Sequence, residues 1–185
     1  MIKKMLRTET ETEKSCLLRN RVLDKFRNII PNQGMAEQTR TYPAFPIPAV
    51  GAIALSEERV LLIQRGKPPA QGQWTLPGGA IEVGESPEEA LIREIQEECQ
   101  LEIRPVRVAE IVNRVIRDDA GNVLYHYLII DYLVTCRDSR PCHELAIAPT
   151  SDAADVRWVR LDELEQYDLT EGVADVIRRA ANSSH

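Results

Sequence analysis

The chain has 185 residues, of which 43% are hydrophobic, and its 29 acidic and 23 basic side chains give a net charge of −6. This size and apolar content suit one folded domain and exclude a wholly disordered chain. The excess of acid argues against a general nucleic-acid binder, and since no apolar run is long enough for a membrane span or a secretory signal, we expect a cytoplasmic protein.

The first 34 residues differ from the rest in charge, with eight basic and four acidic side chains. Apolar residues recur at helical spacing in the second half of this segment. Two interpretations stay open: an amphipathic helix that docks on the domain, a partner or a membrane surface, or a segment upstream of a true start at Met35. We predict that residues 1–40 are an N-terminal extension and residues 41–185 the folded domain.

Beyond this segment, runs of β-forming residues separated by turn residues predict strands, and apolar residues at helical spacing predict helices. Because the two kinds of element alternate irregularly, the sequence favours an α/β fold with helices on the faces of a mixed sheet. The predicted strands are Val50–Leu55, Arg59–Gln64, Trp74–Val83 (broken by Gly78 and Gly79), Leu101–Arg117, Val123–Cys136 and Val156–Leu161; the predicted helices are Pro87–Cys99, Asp162–Gln166 and Val173–Ala181.

The four cysteines are Cys16, Cys99, Cys136 and Cys142. None of them forms a C-x-x-C pair, and the three histidines do not supply the spacing of a zinc site. In a cytoplasmic protein such cysteines are expected to be reduced, unpaired thiols.

The helix Pro87–Cys99 has clear boundary signals. Ser86 is a good N-cap, Pro87 suits the first helical position, and Glu89 completes a capping box. These residues fix where the helix starts, and therefore which of its side chains face together.

Three acidic residues of this helix, Glu94, Glu97 and Glu98, are three or four positions apart or adjacent, so their carboxylates can converge. Like charges at this spacing destabilise a helix unless a cation sits among them. Mg²⁺ is bound by a few carboxylates and keeps substrate phosphates in its other positions. A solvated acidic face, with Arg93 in ordinary ion pairs, is the alternative.

The residues before the helix favour the metal. Gly78 and Gly79 permit unusual backbone angles and a close approach, and an exposed carbonyl there would be a further hard oxygen ligand. Glu85 lies within reach of Arg93, and a bidentate pair between them would join the loop to the helix.

Together these residues resemble the Nudix box, G-x5-E-x7-R-E-U-x-E-E-x-G-U, in which U is a bulky aliphatic residue. One position departs, because Gln100 stands where the box has glycine; ending the helix in the left-handed conformation would cost glutamine about 1 kcal/mol. The matching residues are Gly79, Glu85, Arg93, Glu94, Ile95, Glu97, Glu98 and Leu101.

The resemblance implies the Nudix α/β/α sandwich with a central mixed β-sheet. It also implies hydrolysis of a pyrophosphate bond in a nucleoside diphosphate linked to another moiety, with Mg²⁺ as the cofactor and Mn²⁺ as a substitute. By position, Glu97, Glu98 and the Gly79 carbonyl would hold the metal, and Glu94 would be a further ligand or the base that activates water. Glu85 and Arg93 would support the site, and a homodimer is expected from the resemblance alone.

The chain is most similar to the small bacterial ADP-ribose pyrophosphatase group, which favours ADP-ribose or a related nucleotide sugar. However, members specific for ADP-ribose often carry a proline downstream of the box, and none lies between Val106 and Val134. Nucleoside triphosphates therefore stay open as substrates, and so does a nucleotide-sensing regulator without activity, since a fold does not fix a function.

Three residues outside the box are candidate substrate contacts. Arg65 would reach a phosphate or ribose, or lie solvated at a strand end. Trp74 would stack on a base or anchor a loop. Asp152 is a loop acid and a rival for the general base. Tyr125 and Tyr127 share one face of a strand, which is either core or a substrate wall.

Overall fold

The computed structural model describes residues 40–149 and 153–183. Nearly all of the predicted N-terminal extension lies outside the described residues, as does Asp152. The extension and its boundary at residue 40 therefore stay a prediction.

The order of strands and helices follows the prediction, with two corrections. The predicted strand Trp74–Val83 is wrong beyond its first two residues, and Asp162–Gln166 belongs to a 3₁₀ helix instead of an α-helix. The elements are β1 (Ile47–Ser56), β2 (Arg59–Arg65), β3 (Trp74–Thr75), α1 (Pro87–Cys99), β4 (Ile103–Arg117), β5 (Val123–Cys136), β6 (Ala153–Arg160) and α2 (Val173–Asn182), with 3₁₀ helices at Cys142–Glu144 and Leu161–Gln166.

The sheet is mixed. Strand β1 pairs in parallel with β5 from Ile47 opposite Tyr127 to Ala54 opposite Val134, and β5 pairs antiparallel with β4. A hairpin joins β1 to β2, which pairs antiparallel with both β3 and β6. The strand order through the described part of the chain is β3-β2-β1-β5-β4, with β6 also beside β2.

Side chains that alternate along the strands build a core on each face of the sheet. Leu61 and Ile63 pack in the cluster that holds Ile95 of α1, whereas Leu62 packs in the cluster that holds Ile177 of α2. Each such fully buried aliphatic side chain contributes about 1.5–3 kcal/mol. Because both faces are covered by a helix, the α/β/α sandwich with a central mixed sheet is confirmed.

Helix α1 begins where the capping signals place it. The Glu89 backbone N–H donates to the Ser86 hydroxyl at 3.3 Å, and the Ser86 N–H donates to the Glu89 carboxylate at 2.8 Å. Both halves of the capping box are therefore present.

The helix ends in the left-handed conformation that the box assigns to glycine. Gln100 has φ 57° and ψ 31°, and its N–H donates to the Gln96 carbonyl. The glutamine thus keeps the geometry of a glycine C-cap, at the cost of a side chain in a disfavoured backbone region.

The expectation of unpaired thiols is wrong for two of the four cysteines. Cys136 and Cys142 form a disulfide, with their Cα atoms 5.7 Å apart. The 3₁₀ helix that starts at Cys142 folds the chain back onto the end of β5, and a six-residue spacing gives no sequence signal for this. Cys99 is a free, buried thiol inside α1, and Cys16 lies outside the described residues.

In the two described ranges, no helix is both long and apolar enough to cross a membrane.

Replacing Gln100 with glycine is expected to stabilise the fold. The substitution removes a left-handed penalty of about 1–2 kcal/mol, and the greater chain entropy of glycine offsets about 0.5–1 kcal/mol of it. From the middle of each range, urea unfolding should give Gln100→Gly a free energy of unfolding about 0.75 kcal/mol above that of the original chain. Gln100→Ala, which keeps the penalty, is the control. A glycine variant no more stable than the alanine variant would contradict the account of this helix end.

Candidate active site

The segment Pro77–Gly79 lies directly against β1. The Val50 N–H donates to the Gly79 carbonyl at 2.9 Å, and the Ala52 N–H donates to the Pro77 carbonyl at 2.8 Å. Gly78 has φ 146°, and a Cβ there would lie 2.1 Å from the Val50 carbonyl oxygen. Only glycine fits this approach, which carries the loop past the edge of β1 toward helix α1.

Glu98 is held by this loop. The Gly78 N–H donates to one of its carboxylate oxygens at 2.8 Å, and the residue is only 7% exposed. A hydrogen bond from a backbone amide to a carboxylate is stronger than one between neutral groups. It therefore fixes the Glu98 side chain next to the double glycine.

Glu94 occupies the space where Gly79 lacks a side chain. A Cβ on Gly79 would lie 2.3–2.6 Å from the Glu94 carboxyl atoms, so the glycine makes room for this acid. Burial raises the pKa of Glu94, and the Arg93 guanidinium, which donates to one carboxylate oxygen at 2.8 Å, opposes that shift. The result is a partly desolvated carboxyl group against the loop backbone.

Arg93 connects the loop to the helix. Its Nε and Nη2 donate to the two carboxylate oxygens of Glu85 at 2.7 and 2.9 Å, which is the predicted bidentate pair. Nη2 also donates to the Ala80 carbonyl, and the Glu82 N–H donates to Glu85. The Arg93 guanidinium lowers the pKa of Glu85 to about 2.

Glu97 is the most exposed of the three acids. Its side chain is 60% exposed, and Nη1 of Arg93 donates to one of its carboxylate oxygens at 3.4 Å. Within residues 40–149 and 153–183, no three His, Cys, Asp or Glu side chains lie close enough together to hold a metal ion. The structure thus brings two of the three predicted acids, Glu94 and Glu98, to adjacent glycines and leaves the third at the rim.

These residues fit a hard divalent cation. The candidate donors are carboxylate and carbonyl oxygens, which Mg²⁺ prefers, and Mn²⁺ accepts the same ligands. The Gly79 carbonyl accepts one hydrogen bond from Val50 and keeps a second lone pair. Two carboxylates lie against the adjacent glycines, Glu94 at Gly79 and Glu98 at Gly78, and they supply the hard oxygen donors that such an ion takes.

The predicted substrate contacts outside the box have different outcomes. The Nε of Arg65 donates to the Pro69 carbonyl at 2.7 Å, so this side chain braces the loop after β2. Trp74 is only 7% exposed, lies edge-on to Tyr167 and under the Arg157 guanidinium, and belongs to the core. This burial favours the loop-anchoring role of Trp74 over base stacking, while Asp152 lies outside the described residues.

Asp131 is a buried acid that the sequence reasoning missed. It is 5% exposed in the middle of β5. The signal was available, because a single acid interrupts the otherwise apolar or aromatic run from Leu128 to Val134. A lone charge in a buried strand is uncommon unless it is paired or has a function.

A family model described as the NUDIX domain matches residues 46–180. Over 88 residues the chain is 36% identical to an ADP-ribose pyrophosphatase of Methanocaldococcus jannaschii, an alignment that covers 48% of this chain and 52% of that protein. It is also 36% identical over 107 residues to the nucleoside triphosphatase NudI of Enterobacter sp., covering 54% of this chain and 70% of that protein. The chain therefore spans only about half of the first relative.

Solved structures of similar fold agree with the topology. The NUDIX domain of Shewanella oneidensis NrtR, complexed with ADP ribose, has a TM-score of 0.60 and 22% identity, covering 88% of this chain and 98% of that one. A MutT NUDIX hydrolase from Burkholderia pseudomallei has a TM-score of 0.60 and 27% identity, covering 73% and 98%. At 22% identity the first likeness shows the fold alone.

The ion pair of Arg93 with Glu85 predicts a pH-dependent stability. A carboxylate whose pKa is lowered on folding stabilises the protein above its unfolded pKa, and this contribution is lost as the pH falls through the folded value of about 2. Glu85→Gln should therefore be less stable than the original chain at pH 7, and the difference should shrink as the pH is lowered to 3.

Urea unfolding between pH 3 and pH 7 measures this difference. Glu102→Gln is the matched control, because Glu102 is exposed and has no ion pair among the described residues. A Glu85→Gln difference that stays constant across this range would show that the ionised pair does not stabilise the fold.

Proposed function

Because the chain belongs to the Nudix family of pyrophosphate hydrolases, we propose that it cleaves a nucleoside diphosphate linked to another moiety, with Mg²⁺ as cofactor. ADP-ribose or a related nucleotide sugar is the favoured substrate, which the M. jannaschii relative supports. The observation that carries the proposal is the placement of Glu94 and Glu98 against the double glycine.

Glu97, Glu98 and the Gly79 carbonyl would hold the metal, with Glu94 as a further ligand or as the base. When bound, the cation would neutralise phosphate oxygens and lower the pKa of the attacking water. Because Glu97 lies at the exposed rim, its carboxylate must turn toward the glycines to take part, and a long glutamate side chain permits that.

The protein's own part in the reaction is to place a base and keep it in place. In the proposed step the water oxygen bonds to phosphorus, the bridging P–O bond breaks, and the water proton passes to the Glu94 carboxylate. Arg93 donates to one oxygen of Glu94, which leaves the other oxygen as the acceptor. Partial burial of Glu94 strengthens its basicity, since desolvation disfavours the charged form.

A second candidate is hydrolysis of nucleoside triphosphates, which the Enterobacter relative supports. The S. oneidensis domain, which shares the fold, was solved with ADP ribose, so binding of that molecule is to be tested apart from its hydrolysis. The retention of Glu94, Glu97 and Glu98 favours catalysis over binding alone. Assembly as a homodimer stays a prediction.

The first test is hydrolysis of ADP-ribose, nucleotide sugars, dinucleotide polyphosphates and nucleoside triphosphates with product analysis. We expect one class to be cleaved with kcat/KM of about 10⁴ M⁻¹s⁻¹ or more. Excess EDTA should abolish the activity, and added Mg²⁺ or Mn²⁺ should restore it.

Variants locate that activity in the proposed site. Glu97→Gln and Glu98→Gln should each lower kcat by about 10²-fold or more, the scale for removing a group that stabilises charge in the transition state. Glu102→Gln, an exposed acid beyond the end of α1, should act like the original chain. Wild-type rates in Glu97→Gln and Glu98→Gln would show that the carboxylates of α1 do not carry the reaction.

The contact of Gly79 with Glu94 gives a separate prediction. In Gly79→Ala the new methyl group displaces the Glu94 carboxylate, the end of a flexible side chain, so stability should change by only about 1 kcal/mol. Activity should fall as far as in Glu94→Gln, and the double variant should lose no more than either single one. Additive losses in the double variant would show that the glycine acts independently of Glu94.

A further inference from the structure

Asp131 is a buried carboxyl group without a described donor. No residue in the described part of the chain donates a hydrogen bond to its side chain. Burial, and secondarily the charge of Glu110, raises its pKa to about 6. Burying such a group without a partner is costly, so a fold that keeps it needs compensation from elsewhere.

The Asp131 carboxyl group lies against Gly51 of β1, where the glycine has no side chain. Gly51 lies opposite Asp131 in the parallel pairing, and a Cβ on Gly51 would lie 2.2 Å from the carboxyl oxygen Oδ1. Gly51 also contacts Gly78, since a Cβ on Gly78 would lie 2.9 Å from the Gly51 Cα. The Asp131 carboxyl is thus one strand away from the glycine loop that positions Glu94 and Glu98.

Asp131 lies on the face of the sheet opposite to α1. Leu133, two residues further along β5, packs in the cluster of α2, whereas Tyr132 packs in the cluster of α1. The same alternation puts Tyr125, Tyr127 and Ile129 on the face of Asp131. We call these four side chains of β5 the Asp131 column: Tyr125, Tyr127, Ile129 and Asp131.

The Asp131 column offers aromatic and apolar surface that is only partly covered. The rings of Tyr125 and Tyr127 stack at 6.2 Å and 13°, and neither they nor Ile129 are fully buried. Burial raises the pKa of Tyr127, and the charges of Arg40 and Arg65 oppose that shift. The charge of Arg40 also opposes the rise in the pKa of Glu94.

We propose that the Asp131 column receives the nucleobase of the substrate, with the Asp131 carboxyl group accepting hydrogen bonds from N–H donors on the edge of the base. This inference rests on the proposed function. Tyr127 and Ile129 supply the apolar surface for a flat ring, and the carboxyl at the end of the column supplies the hydrogen-bond acceptor. The positive charges of Arg40 and Arg65, which oppose the rise in the pKa of Tyr127, suit the phosphates that join the base to the reacting bond.

Asp131 is therefore assigned a role in specificity and not in bond cleavage. A site that hydrogen-bonds one part of a substrate rejects analogues that lack the matching donors, because its buried polar group is then left unpaired. The alternative is that Asp131 only affects stability. Its replacement would then change kcat/KM for all substrates alike.

The test compares ADP-glucose, GDP-glucose and UDP-glucose, which share a sugar and differ in base. The original chain should prefer one base over the poorest by at least about tenfold in kcat/KM. Asp131→Asn, which keeps the shape but turns one acceptor into a donor, should lower kcat/KM for the preferred base by about 10–100-fold, mainly through KM. The poorest substrate should change little. Asp119→Asn, in the exposed turn between β4 and β5, is the matched control.

Binding of AMP, GMP and UMP by calorimetry repeats the comparison without catalysis. The order of affinities should match the order of kcat/KM and should flatten in Asp131→Asn. Gly51→Ala, whose Cβ displaces the same carboxyl group, should flatten it too, and it replaces Asp131→Asn if that variant fails to fold.

The outcomes separate this inference from the proposed function. Unchanged ratios among the three bases in Asp131→Asn, or no base preference in the original chain, would overturn the role of Asp131 while hydrolysis stands. If no compound of the full substrate panel is hydrolysed, the proposed function is wrong. The affinities for AMP, GMP and UMP would still decide whether Asp131 recognises the base.

Discussion

The close approach of Gly78 and Gly79 to strand β1 and helix α1 sets the positions of Glu94 and Glu98 in the candidate site. Gly78 gives its N–H to Glu98, and Gly79 leaves the space that Glu94 fills. A Cβ on Gly78 would clash with the Val50 carbonyl oxygen, and a Cβ on Gly79 would displace the Glu94 carboxylate, so the double glycine does more than allow a flexible turn. Because the loop is hydrogen-bonded to β1, the positions of Glu94 and Glu98 are fixed relative to the sheet as well as by their own helix.

Arg93 changes how the repulsion within α1 should be understood. Carboxylates three and four residues apart destabilise a helix, and a metal ion is one way to offset this. Here a guanidinium contacts Glu85, Glu94 and Glu97 together, and so offsets part of that repulsion without a metal. The acidic cluster is therefore compatible with a folded metal-free protein, and its retention argues for metal binding less strongly than the repulsion alone suggests. The geometry at the glycines carries the argument instead.

Local sequence signals predicted the helix of the site, and long-range contacts decided what they missed. The capping box at Ser86 and Glu89 fixed the start of α1, and the Gln100 position fixed its left-handed end. The exposure of Glu97 could not be predicted from the spacing of the acids along α1. Spacing shows which side chains share a helix face, but it does not show which of them the glycine loop covers. The disulfide of Cys136 with Cys142 and the contact of Asp131 with Gly51 depend on how separate segments meet, which no window of sequence contains.

Strand β1 contacts groups of the candidate site on both faces of the sheet. Val50 and Ala52 pack on the side of α1, and Gly51 between them opens the other side to Asp131. The acids that would cleave the pyrophosphate and the acid that would read the base thus lie on opposite sides of one strand. A side chain at Gly51 would displace the Asp131 carboxyl group without touching any acid of α1. Recognition and chemistry in this fold are therefore separable by substitution, even though a single strand positions both.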